Sequence, residues 1–175
     1  MKLPVVGKAH EAGAGEAPFH WFIYGSSLDR DAFTAWAKEH GYRVPDFAGA
    51  VAARLVGYRL AFDVPSRFWG GFVGEVVADP AGAVEGIALP LPAEARGLVD
   101  HKEGAISGLY EPFEAEVQPL AGGAPIRATV YRAVASRRAP DEQAPATRWL
   151  DSVIAGARAS GLSADWIAEL TRRRA

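Results

Sequence analysis

A chain of 175 residues, 49% hydrophobic and 23% charged, is sized for one globular domain with its own core and is too short for two large ones. A formal net charge of -2 and a pI near 6.1 give no broad basic surface for nucleic acid or an anionic membrane, so a small polar partner is expected. With no cysteine, disulfides, thiolate nucleophiles and cysteine-ligated metal centres are excluded.

Residues 1–17 are rich in Gly, Ala and Glu without periodicity and are expected to form a flexible N-terminal arm, leaving 18–175 as a single domain. No apolar run approaches the roughly 20 residues of a membrane span, so a cytoplasmic protein is the expectation. The aromatic, branched segment 19–25 (FHWFIYG) predicts a buried strand closed by a turn at Gly25. From Asp29 to His40 the period changes: Phe33, Trp36 and Ala37 share a helical face, with Ser27 as a cap and Gly41 as the stop. Segments 53–64 and 72–79 predict strands separated by a Trp69-Gly70-Gly71 turn, and 83–91 predicts a further strand. A short helix is expected after Pro92, running into a polar loop over 100–104. A hairpin then turns at Ala121-Gly122-Gly123. Beyond the loop over 140–145, Trp149, Val153 and Ala157 line one helical stripe, with Leu150 and Ile154 beside it. Ser163 is placed to cap a last helix with Trp166, Ile167 and Leu170 on its apolar face. The predicted class is α+β, mainly a sheet with helices packed on it.

Few motifs carry chemistry by themselves. The four histidines, His10, His20, His40 and His101, have no metal-binding helical spacing, and no metal or other cofactor is expected. Tyr24-Gly25-Ser26-Ser27-Leu28 is a small-residue loop between strand and helix, able to offer N–H groups to an anion, but read alone it is first an ordinary tight turn with a capping serine. It has neither a dinucleotide nor a P-loop pattern. No GxSxG elbow or Ser–His pattern marks a hydrolase. Glu103, read alone, is a surface carboxylate, and Trp69, Trp149 and Trp166 read as core.

In order along the chain, these pieces resemble the gamma-glutamylcyclotransferase-like family, which includes AIG2-like proteins and gamma-glutamylamine cyclotransferases. Phe22-Ile23-Tyr24-Gly25-Ser26-Ser27-Leu28 is similar to its Tyr-Gly-Ser-Asn-Leu loop. Arg54-Leu55, Tyr58, Leu60 and Phe62 match a strand, and Gly70-Gly71 a glycine pair before the next strand. Leu98 to Gly104, with Gly108-Leu109-Tyr110, resembles Leu-Asp-x-x-Glu-Gly followed by Gly-x-Tyr. Ala128 to Tyr131, Ile154 to Ala157 and Gly161-Leu162 continue the likeness, which spans about 19–165. The resemblance implies a small mixed β-barrel with flanking helices. It also implies release of 5-oxoproline from a γ-glutamyl amine or amino acid by attack of the substrate's own α-amine. Ser27 stands where the family has Asn, and Trp149 where glutathione-cycle members are expected to carry a substrate-side Tyr.

On that resemblance Glu103 is the expected general acid/base, buried or semi-buried at the floor of a cleft so that its pKa rises from about 4.3. Tyr24, Gly25, Ser26, Ser27 and Leu28 would hold the substrate's α-carboxylate, with Gly70, Gly71, Tyr110 and Tyr131 lining the same site. The alternative is a ligand-binding or interaction module on the same fold without turnover. A cleft between Gly25 and Glu103 would favour the enzyme. Arg54 is open to either a structural or a substrate role.

Overall fold

The computed structural model describes residues 17–174, so all but the last residue of the expected N-terminal arm lies outside the described residues. Five strands close into a barrel in the order β1-β3-β2-β4-β5. They are β1 (Phe19–Ile23), β2 (Val51–Ser66), β3 (Gly71–Leu91), β4 (Tyr110–Pro119) and β5 (Ile126–Ala133). The ladders are antiparallel except where β1 closes the barrel beside β5 in parallel. Four helices flank the barrel among the described residues: α1 (Arg30–Glu39), α2 (Arg96–Lys102), α3 (Thr147–Ala159) and α4 (Ala164–Arg172). This is the α+β barrel the sequence predicts.

Two departures have clear causes. The strands expected over 72–79 and 83–91 are one continuous β3. Val56 pairs with Ala83 and Tyr58 with Ala78, so residues 79–82 bulge opposite Gly57 alone. Pro80, which has no N–H, therefore sits where the ladder demands none. Asp79 accepts a hydrogen bond from Ala81 N–H at 3.0 Å across the bulge, and Gly57 supplies the positive φ of 86° on the facing strand. The cap of α1 is Asp29 rather than Ser27: its carboxylate accepts from Ala32 N–H at 3.1 Å, while residues 26–28 form a separate 3-10 turn.

The other helical expectations match the structure. Phe33 and Ala37 of α1 are buried, as are Trp149, Leu150, Val153, Ile154 and Ala157 of α3. Ser163 caps α4 by accepting from Trp166 N–H at 3.1 Å. Its hydroxyl and N–H both donate to Glu85, at 2.8 and 2.9 Å, and Glu85 also accepts from Arg54 at 2.8 Å. Burial alone would raise the pKa of the Glu85 carboxyl, but the Arg54 and Ser163 donors outweigh it and hold the value below the usual range. Arg54 thus ties the barrel to the start of α4 and has a structural role.

The helix α3 packs directly on backbone. A Cβ placed on Gly156 would lie 2.4 Å from the Leu28 carbonyl carbon and 2.6 Å from Asp29 N, both backbone atoms. The absent side chain lets α3 rest directly on the chain between β1 and α1, and Ser152 one turn earlier donates to Asp29 at 3.1 Å. Backbone cannot move aside as a side-chain tip can, so Gly156→Ala should destabilise the protein by about 1–3 kcal/mol. The measurement is the urea midpoint at unchanged m-value; an unaltered midpoint would mean that α3 moves off the loop at no cost.

Candidate active site

The chain leaves β1 at Ile23 and enters a tight 3-10 turn in which Leu28 N–H donates to Gly25 C=O at 3.1 Å. The N–H groups of Gly25, Ser26 and Ser27 precede that first bond of the turn, as at any helical start. Tyr24 anchors the loop by donating its hydroxyl to the Tyr131 carbonyl at 2.5 Å. On the other side of the site, α2 ends at Glu103, whose N–H donates to Val99 C=O at 2.9 Å. Gly104 follows with a φ of 72°, the left-handed conformation that turns the chain out of a helix.

Between these two chain segments lies a cavity of about 270 Å³. Tyr24, Gly25, Ser26 and Ser27 line one side, and Glu103 with Gly104 another. Tyr110 completes the polar wall, its hydroxyl donating to Gly74 C=O at 3.1 Å. Glu103 is half-buried, and its pKa is raised to about 7. Desolvation is the dominant cause; the neighbouring Lys102 ammonium and the Trp21 indole N–H pull the value back down. That indole nitrogen makes no hydrogen bond of standard geometry, so it favours the carboxylate without locking it. Burial, and after it the neighbouring ionisable groups, raises Tyr24 and Tyr110 well above the ordinary phenol value, which keeps both as neutral hydrogen-bond donors. The arrangement can thus take up and return a proton near neutral pH beside a row of backbone donors.

Not every residue expected here lines the cavity. Leu28 is fully buried beneath the loop, where α3 packs. Gly70 forms the β2–β3 turn with a φ of 72°, and Gly71 is held against Ala146, so the glycine that reaches the cavity is Gly74. The Tyr131 side chain is turned the other way, its hydroxyl donating to Asp100 at 2.5 Å. Tyr131 supports the site through its carbonyl, by receiving Tyr24.

Conversely, residues read as core form part of the wall. Trp149 is only 3% exposed yet lines the cavity, with its ring 3.6 Å from where a Gly25 Cβ would stand and 2.6 Å from a Gly74 Cβ. Gly74 therefore makes room for the indole. Trp69 also lines the cavity, as do Trp36 and Lys102, whose ammonium lies 4.9 Å from the Trp36 ring centroid. Trp166 is buried under α4 and remains core. The one signal in sequence for Lys102 was its place next to Glu103 at a helix end.

Comparison with known proteins agrees with this architecture. Among solved structures, one named gamma-glutamyl cyclotransferase superposes with a TM-score of 0.70 at 21% identity, covering 88% of this chain and 86% of that one. YkqA from Bacillus subtilis gives a TM-score of 0.73 at 23% identity, covering 89% of this chain but 53% of its own length. A yeast gamma-glutamyl cyclotransferase specific to glutathione gives 0.61 at 11%, covering 90% of this chain and 95% of that one. At such identities the likeness is one of fold. No curated protein matches in sequence. Among the described residues no helix is long and apolar enough to cross a membrane. The model of the AIG2-like family matches residues 83–170, just over half of the chain and including Glu103, Gly104 and Tyr110. The chain belongs to the AIG2-like family.

Proposed function

We propose that this protein is a cyclotransferase that releases 5-oxoproline from a γ-glutamyl amine or γ-glutamyl amino acid, with Glu103 as general acid/base. The observation that carries this reading is a single cavity lined both by the Gly25–Ser27 loop and by a carboxyl whose pKa is raised to about 7. A binding module without turnover would gain nothing from a desolvated carboxyl at that place. The structures named gamma-glutamyl cyclotransferase share this fold and support the same reading.

The substrate brings its own nucleophile. Its α-carboxylate is received by the loop N–H groups, which places the α-ammonium toward Glu103 and the γ-carbonyl within reach of the α-nitrogen. Glu103 takes one proton from the ammonium, and the freed amine attacks the γ-carbon to form a C–N bond. Loop N–H groups stabilise the negative charge that builds on the γ-oxygen. Glu103 returns its proton to the departing nitrogen, and the old amide C–N bond breaks. The lactam nitrogen then gives up a second proton to the same carboxylate, which passes it to the released amine. The substrate ammonium loses two protons, the leaving amine gains two, and Glu103 ends as it began. Tyr110 and Tyr24, kept neutral, shape the wall without competing for the proton.

Glu103→Gln keeps the size of the side chain but cannot move a proton. Formation of 5-oxoproline, followed by mass spectrometry, should fall by about two to four orders of magnitude. Equal activity in the variant would remove Glu103 from the mechanism, and no product with any γ-glutamyl compound would leave the binding module.

The base must be ionised in the free enzyme, so kcat/KM should rise about tenfold per pH unit on the acid side and level off above about pH 7. In the profile of kcat the limb should move to lower pH, because the bound ammonium favours the carboxylate. A profile flat from pH 5 to 8 would contradict the assignment.

The same carboxyl makes a stability prediction of opposite sense. Its folded pKa, about 7, lies above the unfolded value, so the folded state holds the extra proton between about pH 4.5 and 7. Stability from this group is therefore lost as pH rises through that window and stays lost above it. Glu103→Gln should be more stable than wild type by about 1–3 kcal/mol at pH 8, after allowance for partial solvent screening, with the advantage vanishing by about pH 4. Thermal unfolding of both proteins across pH reads this difference directly.

A further inference from the structure

The part of the cavity not used by the γ-glutamyl group has its own chemistry. Its walls are the rings of Trp69, Phe68 and Trp36, with Leu109 and Val64. Phe68 and Trp69 meet edge to face with ring centroids 5.1 Å apart at the β2–β3 turn, and Phe68 is 74% exposed although it belongs to the cavity mouth. Such a large aromatic surface left in water at a cavity entrance is suited to cover an apolar group.

The charges there are of one sign. Lys102 lines the cavity with its ammonium 4.9 Å from the Trp36 ring centroid, and Arg148 stands over Trp69 with its guanidinium carbon 5.7 Å from the centroid. Among the described residues Glu103 is the only acidic one lining the cavity, and the α-ammonium of the substrate takes it. Of the three fully buried carboxyls, Asp63 and Glu75 are held by Arg138 and Glu85 by Arg54, all outside this cavity.

We infer that the leaving group is an aromatic or bulky apolar amino acid: its side chain packs on Trp69, Phe68 and Trp36, and its carboxylate is drawn by Lys102. A leaving amine with a second positive charge, such as a polyamine or a lysine side chain, finds no acid to receive it and two cations to oppose it. This choice of leaving group rests on the cyclotransferase reading, but recognition by the pocket can be measured apart from turnover.

Four probes separate the possibilities: γ-glutamylphenylalanine, γ-glutamylbenzylamide, γ-glutamylputrescine and ε-(γ-glutamyl)lysine. For 5-oxoproline release, kcat/KM should be at least tenfold higher with the phenylalanine conjugate than with putrescine or lysine conjugates. Lys102→Met keeps an apolar stem and should lower the phenylalanine conjugate about tenfold more than the benzylamide, which has no carboxylate. Lys102→Glu should narrow or reverse the gap to putrescine, a change that loss of folding could not produce.

The same ranking is measured as Kd by calorimetry on Glu103→Gln, where no turnover is required. If the order holds in Kd while no probe yields 5-oxoproline from wild type, the reaction reading fails and the pocket assignment stands. Putrescine or lysine conjugates that bind or react as well as the phenylalanine conjugate would overturn the inference, and so would the absence of binding by any of the four.

Discussion

The contact between α3 and the Leu28–Asp29 backbone sets the geometry on which the cavity depends. Gly156 permits the approach, and seven residues earlier on the same helix Trp149 reaches toward Gly25 and Gly74. One rigid helix thereby positions the loop after β1 and the first turns of β3 together. Two positions without side chains, 156 and 74, are what allow a helix and an indole to lie so near the backbone. Close-packed interiors transmit such placements because neighbouring atoms have little free volume to absorb a shift. The N–H groups of residues 25–27 are thus held by packing on both sides, with Tyr24 fixing the strand end through the Tyr131 carbonyl.

A raised pKa does not by itself distinguish the site. Glu75 is also raised to about 7, by burial first and then by its proximity to Asp63, and it is 1% exposed. It accepts from Ala133 N–H at 2.9 Å and pairs with Arg138, which also grips Asp63. Its partners come from β2, β5 and the segment after β5, so it knits the barrel wall. Burial shifts Glu103 in the same direction, but it stands on a cavity, and among the described residues no side-chain donor holds it in standard hydrogen-bond geometry. Access to a ligand, combined with freedom to exchange a proton, separates the two carboxyls. Lys102 and Trp21 offset only part of the cost of burying Glu103, and a substrate ammonium would offset more of it.

What could be read from the sequence followed the range of the forces involved. Helix caps and faces are local, and Ser163, the α1 face and the α3 stripe were legible from spacing alone. The β-barrel and the place of Glu103 were legible only through the ordered resemblance, because closure of a sheet depends on pairings between residues far apart, such as Trp21 with Thr129. The α1 cap, on Asp29 rather than Ser27, was a local misreading; the misread strand and glycine positions involve cross-strand partners. Pro80 is a break signal in one dimension, yet Gly57 on the facing strand makes it harmless. Gly70-Gly71 has the composition of a ligand loop, but register places Gly74 at the cavity instead. Apolar pattern alone could not divide Trp149 and Trp69 from Trp166, since all three satisfy it and differ only in whether a void adjoins the ring; the resemblance alone set Trp149 apart, at a substrate-side position.

The two functions of the cavity are built from parts with different constraints. The loop after β1 and the end of α2 are fixed by the barrel core: Trp21 and Val99 are fully buried, and Tyr24 nearly so, and any shift there would disturb the packing that closes the sheet. The aromatic wall comes from the β2–β3 turn and the outer face of α1, where Phe68 is open to water and Trp36 stacks on His40 and Tyr42 near the surface. Substitutions at such positions change little of the core and carry small stability costs. On the proposed reading, the chemistry of ring closure is therefore tied to the fold, while the leaving group accepted can be altered at the rim. Members of one family can thus share the first and differ in the second, which is why the identity of the leaving amine has to be read from the aromatic and charged residues at the mouth rather than from the fold.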